Sequence, residues 1–212
     1  MTPRQGNRQA AGSRSGRGRE TDLRRRASTR EQRTTILIAT NGESTERAYF
    51  NGLKQEAWVR PRVVVVAERG SPVNVVRGAA RRRQRDDFDE AWAVCDVDEF
   101  ATEPATREAV ATDVKLAWSN PCFEVWLLLH YSNHTGFVEN AKRARDLLRE
   151  HNPAWNKTAL DFANFRDRIE DACRRADRLD PPRKATRPLP SAGSSPRYAM
   201  IVSEQGSDRV AR

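Results

Sequence analysis

The sequence lacks the features that define several common classes of protein. No stretch of its 212 residues approaches the ~20 apolar residues that a membrane span needs, and none resembles the hydrophobic core of a secretory signal. Its three cysteines, Cys95, Cys122 and Cys173, show no Cys-x-x-Cys spacing, which argues against a zinc site or a disulfide framework. We therefore expect a soluble, cytoplasmic protein.

Phosphate-binding glycine loops are also absent from the sequence. Neither Gly-x-x-x-x-Gly-Lys-Ser/Thr nor Gly-x-Gly-x-x-Gly occurs in it. These residues therefore contain no recognisable ATPase motif, and we expect any nucleotide-driven switching to come from another subunit.

Positive charge is concentrated at the amino end. Residues 1–33 hold ten arginines, three acidic residues and no aromatic residue, which gives +7 of the net charge of +9. This composition predicts a disordered arm. Arg24, Arg25 and Arg26 could bind nucleic-acid phosphates with release of counterions, or the arm could be a solubilising tail that binds nothing in particular.

Residues 34–179 alternate between short apolar runs rich in β-branched residues and segments with helical periodicity. Strands are predicted at 34–40, 62–67, 91–95 and 114–118, and helices after Ser44 or Thr45, after Ser71-Pro72, and at 104–112, 122–131, 140–151 and 158–178. Alternation of this kind implies a mainly parallel sheet with right-handed crossovers. We predict an α/β fold, with a small parallel sheet flanked by helices and a helical C-terminal extension. A flexible Pro/Ser-rich tail is predicted at 180–212.

Two aspartates mark the end of the third predicted strand. Asp96 and Asp98 follow the apolar run Ala91–Val94, and alternate residues of an extended chain share a face. In open α/β sheets, ligands lie outside the carboxyl ends of the strands. Two carboxylates there would suit Mg²⁺ or Mn²⁺, although acidic pairs near strand ends are also common as solvated turns or helix caps.

Four segments, in their order and spacing, resemble the RloB-like proteins: Thr34–Leu53, the helix start at Ser71-Pro72, Asp96–Glu99 and Ser119–Tyr131 (SNPCFEVWLLLHY). The last of these is the most specific. The resemblance implies a Toprim-like fold, in which a small parallel sheet carries metal-binding acids, as in topoisomerases, primases and nucleases of the OLD class. It also implies a role in bacterial defence against phage, beside an ABC/AAA-type ATPase.

The resemblance assigns the metal to Asp96 and Asp98, and the chain departs from the family beside them. The family usually reads Glu-Gly-Glu-x-Thr-Glu after its first strand, and Asn41 stands where the leading glutamate is expected. Asparagine can offer a carbonyl oxygen but no proton-accepting carboxylate. Either Glu43, which would also ligate the metal, or Glu46 takes over, or catalysis is weakened or lost. Glu46 could equally be a first-turn acid favoured by the helix dipole.

Several other candidates have a functional and a structural interpretation. Glu124, in the first turn of the helix at 122–131, could be a third acid of the site or a complement to the helix dipole. Lys157 resembles a family position and could stabilise charge on a phosphate, or be a solvated lysine. Arg81, Arg82 and Arg83 could extend a nucleic-acid-binding face or form a charged helix end.

Other conspicuous residues are interpreted as structural. His130, on a helix that is apolar nearly all round, is expected to be a hydrogen-bonded core residue. Trp92, Trp118 and Trp126 are expected in the core, and Asn120 as a helix cap.

The sequence therefore favours a nuclease that uses Mg²⁺ or Mn²⁺ to hydrolyse phosphodiester bonds. RNA, including tRNA, and DNA are equally plausible substrates, because no motif reads a base or a 2′-hydroxyl. The alternative is a Toprim-like binding or regulatory subunit with weakened or absent catalysis, since Asn41 replaces an acid.

Overall fold

The computed structural model describes residues 33–97 and 100–179. The predicted amino-terminal arm and carboxyl-terminal tail lie outside this part, as do Asp98 and Glu99. The described part contains the strands β1 (Thr35–Thr40), β2 (Arg62–Ala67), β3 (Glu90–Asp96) and β4 (Lys115–Ser119). Its helices are α1 (Thr45–Leu53), α2 (Pro72–Asp86), α3 (Thr102–Thr112), α4 (Phe123–Leu129), α5 (Ala141–His151), α6 (Ala163–Arg166) and α7 (Ile169–Leu179).

The strands form one parallel sheet in the order β2-β1-β3-β4. From β1 the chain first adds β2 on one side of the sheet. It then crosses back over β1 and adds β3 and β4 on the other side. The strand order therefore reverses between β1 and β3, and ligands of open α/β sheets bind at such a switch point. The predicted parallel sheet flanked by helices is confirmed.

Both faces of the sheet are buried, which explains why its strands are continuous apolar runs. Alternate residues of β1 point to opposite faces. Ile36 and Ile38 pack in a core with α1, α4 and α7, whereas Leu37 and Ala39 pack in a core with α2 and α3. The carboxyl-terminal helices thus cover the same face as α1.

His130 is a fully buried core residue, as predicted. Its Nδ1 lies 3.0 Å from the carbonyl oxygen of Trp126, and its Nε2 lies 3.0 Å from the hydroxyl of Tyr49. A carbonyl only accepts, so Nδ1–H donates to it and Nε2 accepts from the tyrosine. Burial lowers the pKa of His130 to about 4, so the ring is neutral at physiological pH. Trp126, Trp92 and Trp118 are also buried, which confirms their assignment to the core.

Two predictions of local structure are wrong. Residues 158–178 do not form one helix, because Asn156 Oδ1 accepts from the backbone N–H of Thr158 and Asp161 Oδ1 accepts from that of Ala163. These turns compete with helical hydrogen bonds, and only the shorter α6 and α7 form. Asn120 does not cap α4, since Cys122 occupies the N-cap position with an extended backbone, φ −150° and ψ 169°.

The two apolar helix faces at the carboxyl end explain why α5 and α7 pack onto the sheet domain. Ala144 and Leu148 of α5 are buried, as are Ile169, Ala172 and Ala176 of α7, while the other residues of both helices are half-buried or exposed. Among residues 33–97 and 100–179, none of the helices combines the length and the apolar character that crossing a membrane requires.

Candidate active site

The loops after β1 and β3 leave the sheet side by side at the switch point. The backbone N–H of Asn41 donates to the carbonyl of Val94 at 3.0 Å, and that of Val97 donates to the carbonyl of Ser119 at 2.9 Å. These bonds extend the sheet by one residue beyond β1 and β3. Side chains that follow the two strands are therefore held at one edge.

Asp96 is the last residue of β3 and lies in register with Ser119 of β4. Its side chain is half-buried at the carboxyl edge of the sheet, where the sequence analysis placed it. Asp98, its predicted partner as a metal ligand, lies outside the described residues. The pairing of these two aspartates therefore stays a prediction.

Glu46, in the first turn of α1, is buried, with 7% of its surface exposed. Its carboxylate lies against Gly42, where a Cβ atom would overlap it. Burial raises the pKa of Glu46, and the negative charge of Glu124 adds to this effect. The bond from its own backbone N–H and the charge of Lys157 offset the rise only in part. Glu46 is thus a buried carboxylate with a raised pKa that is influenced by the charge of a second acid.

Glu124, in the first turn of α4, is also buried, with 3% of its surface exposed. Within the described residues its Oε1 has no hydrogen-bond partner. Burial raises the pKa of the Cys122 thiol, and the charges of Glu124 and Asp96 raise it further. Burial likewise raises the pKa of Cys95, with smaller contributions from Asp96 and Glu46.

The charge of Asp96 thus acts on both thiols, that of Glu46 on Cys95 and that of Glu124 on Cys122. Glu46, Asp96 and Glu124, contributed by α1, β3 and α4, form one group that we call the acidic cluster. A buried acceptor without a partner is costly and is characteristic of sites that bind a ligand or ion. The three acids could be named from the sequence, whereas no sequence signal assigned a role to Gly42 or Cys122.

Asn41 and Lys157 lie at the border of the acidic cluster. The Oδ1 of Asn41 is buried and, in the part of the chain that the structure describes, accepts no hydrogen bond. The carbonyl of Lys157 accepts a bond of 2.9 Å from the hydroxyl of Thr45, which fixes this loop beside the first turn of α1. The ammonium of Lys157 acts on the pKa of Glu46, so its charge reaches the cluster.

Glu43 is oriented differently from Glu46. Its carboxylate pairs with the exposed Arg69 at 2.5 Å, and its side chain is 53% exposed. The structure thus brings Glu46, and not Glu43, together with Glu124.

The arginines of α2 contact acids of the protein itself. Arg82 pairs with Glu68 at 2.5 Å, and Arg83 pairs with Asp113 at 2.8 Å. Arg81 is exposed on the same helix. Of the six arginines predicted to bind nucleic acid, Arg82 and Arg83 are engaged in internal ion pairs. Arg24, Arg25 and Arg26 lie outside the described residues.

The oxygen donors of the site suit a hard cation. Carboxylates and amide carbonyls are the ligands that Mg²⁺ and Mn²⁺ prefer, and the unpartnered oxygens of Asn41 and Glu124 could accept one. Residues 33–97 and 100–179 alone assemble no group of three or more His, Cys, Asp or Glu side chains able to hold a metal. The donor chemistry fits such an ion, and Asp98 is the nearest acid in sequence that could complete the set.

The fold and the site define an α/β protein with acids gathered at the switch point of a parallel sheet. A family model described as RloB-like protein matches residues 36–199, and the chain belongs to this family. No curated protein matches it. Among solved structures, it is similar to the phosphotransferase system component EIIA from Streptococcus agalactiae, with 19% identity over 63% of this chain and 99% of that chain. The TM-score of 0.26 is too low to support any inference from that likeness.

Proposed function

We propose that this protein is a metal-dependent nuclease that hydrolyses phosphodiester bonds in RNA or DNA. The observation that carries the proposal is the acidic cluster, in which α1 and α4 each bring a buried glutamate to the sheet edge that carries Asp96. Burying two like charges destabilises a fold unless a cation or a proton compensates them. Such a cluster at a switch point is therefore better explained by function than by stability.

Each residue of the cluster has a role in this proposal. Asp96 would hold Mg²⁺ or Mn²⁺, with Asp98 and the carbonyl oxygen of Asn41 as further donors. When bound, such an ion supplies Lewis-acid stabilisation of a phosphate and lowers the pKa of a water molecule. Glu46 would accept the proton of the attacking water, because its raised pKa brings it closer to the operating pH.

Glu124 and Lys157 would support the reaction through their charges. Burial raises the pKa of Glu46 and Glu124 adds to the rise, while Lys157, whose charge acts on Glu46, would stabilise negative charge on a phosphate. Membership of the RloB-like family supports, as part of the same proposal, a role in bacterial defence against phage beside an ABC/AAA-type ATPase.

The test is a cleavage assay on labelled RNA and DNA with Mg²⁺ or Mn²⁺, in the presence and absence of the partner ATPase. We expect Asp96→Ala and Glu124→Gln to abolish cleavage, and Glu46→Gln to slow it about 10²- to 10⁴-fold, the usual contribution of a general base. Glu139→Gln, at an exposed position, is the matched control and keeps wild-type activity. If Glu46→Gln cleaves normally and Glu43→Gln does not, the general base is Glu43 and not Glu46.

A second candidate function is a binding or regulatory subunit without catalysis. One observation favours it: Asn41 stands where the family has an acid. Nucleic-acid binding without cleavage under any metal, with the ATPase present, would support this function and contradict the nuclease.

A further inference from the structure

A cavity of about 180 Å³ lies between the end of β4, α4 and the segment that follows α4. Ser119 and Asn120, at the carboxyl end of β4, form one side of it, and Trp126 and Leu129 of α4 form another. Because Ser119 lies in register with Asp96 on the neighbouring strand, the cavity begins one strand away from the proposed metal site. A nucleotide whose phosphate met the cluster would therefore have a neighbouring base within reach of this cavity.

An exposed aromatic ring stands at the outer side of the cavity. Phe137, in the segment between α4 and α5, lines the cavity although it is 88% exposed. Two other residues that line it, Trp126 and Leu129, are buried. A phenylalanine ring left in water offers its face for stacking, and stacking on exposed aromatic rings is how proteins bind the bases of single strands.

Polar groups accompany the apolar walls. The Nε2 atom of His134 is buried and, among residues 33–97 and 100–179, has no hydrogen-bond partner. His134 lines the cavity together with the exposed Asn120. An imidazole nitrogen and an amide can both hydrogen-bond the edge of a base, and a few polar groups in a mostly apolar pocket are typical of ligand sites.

The volume restricts the size of the ligand. An engineered protein cavity of about 150 Å³ binds benzene, whereas pockets for whole drug-sized ligands begin at about 300 Å³. A cavity of about 180 Å³ therefore suits one planar six-membered ring and is small for a complete nucleotide.

We infer that this cavity binds an unpaired pyrimidine base of a single-stranded nucleic acid. The base stacks on Phe137 and meets His134 and Asn120 with its polar edge, and the adjoining phosphate reaches the acidic cluster. The inference rests on the proposed function for its class of ligand, and it narrows the substrate to single strands that contain pyrimidines. Uracil and cytosine of RNA share this chemistry with thymine and cytosine of DNA.

The test is binding of short labelled homopolymers, measured by fluorescence anisotropy in EDTA so that cleavage plays no part. Wild-type protein is expected to bind oligo-U, oligo-dT or both more tightly than oligo-A and oligo-dA. The comparison of oligo-U with oligo-dT shows whether the preferred ligand is RNA or DNA. Phe137→Ala should weaken pyrimidine binding about 5- to 150-fold, the usual loss of one stacked base. Phe137→Trp should retain binding, because it keeps an aromatic face.

Val110→Ala is the matched control, because Val110 is 74% exposed on α3 and away from the cavity. Unchanged affinity of Phe137→Ala, or equal affinity of wild-type protein for purine and pyrimidine homopolymers, would overturn the inference. Asp96→Ala should still bind pyrimidines while failing to cleave. Pyrimidine binding by the wild-type protein without any cleavage would refute the nuclease and support the base-binding cavity. Cleavage by the wild-type protein, with unchanged pyrimidine binding by Phe137→Ala, would support the nuclease and refute the base-binding cavity.

Discussion

Replacing His130 with glutamine is expected to remove much of the acid sensitivity of this protein. The imidazole is fully buried and bonded to Tyr49 and to the carbonyl of Trp126, and burial lowers its pKa from 6.5 to about 4. In the unfolded chain the ring takes up a proton near pH 6.5, but in the folded protein it does so only near pH 4. As the pH falls between these values, the unfolded state binds more protons, so the free energy of unfolding decreases.

The size of the effect follows from the two pKa values. One pKa unit corresponds to about 1.4 kcal/mol, so a difference of about 2.5 units predicts a loss of about 3 kcal/mol between pH 6.5 and pH 4. For a domain of this size, that is a large part of an ordinary total stability of about 5–15 kcal/mol. Carboxylates also contribute to acid unfolding, and subtracting the variant from the wild type removes their common contribution.

The measurement is urea denaturation of both proteins at several pH values from 7.5 to 4.5. His130→Gln should be less stable than wild type at pH 7.5, because two buried hydrogen bonds are altered, and the gap should narrow as the pH falls. His151→Gln, which removes an exposed histidine, is the control and should keep the slope of the wild type. A gap that stays constant down to pH 4.5 would refute the assignment of His130 as a buried neutral ring.

Three further outcomes are expected. Tyr49→Phe leaves the Nε2 of His130 without its donor and should lower the free energy of unfolding by about 1–3 kcal/mol, measured in urea at pH 7.5, and a neutral effect would contradict the bond. Gly42→Ala should displace the carboxylate of Glu46 and reduce the cleavage rate, and a wild-type cleavage rate would contradict the contact. The three cysteines should resist iodoacetamide at pH 8 until the protein unfolds, because burial raises the pKa of each thiol, and rapid modification would contradict their environment.

The four strands and their parallel arrangement could be predicted from the sequence, because each strand is a continuous apolar run bounded by turn residues. The strand order could not, since apolar runs do not indicate which strands are neighbours. The segment 158–178 was mispredicted because its helical period hid two competing side-chain turns, at Asn156 and Asp161. Hydrophobic periodicity reports which face is buried, and it does not report where local hydrogen bonds interrupt the backbone.

The candidate site could be predicted only in part, for a different reason. Asp96 and Glu124 were placed at the sheet edge by their positions after a strand and in a first helical turn. The choice between Glu43 and Glu46 needed the fold, because an arginine 26 residues after Glu43 draws its carboxylate away. The partners of Arg82 and Arg83 are likewise distant in sequence, at Glu68 and Asp113. The sequence alone therefore could not show that these two arginines are already paired within the protein.

The bond between Tyr49 and His130 has a consequence for the acidic cluster. It cross-links α1 to the end of α4, and each of these helices carries one glutamate of the acidic cluster in its first turn. The spacing of the two carboxylates is thus maintained by a neutral pair that does not titrate above about pH 4. A fall in pH that stays well above 4 therefore leaves the bond that joins α1 to α4 unchanged.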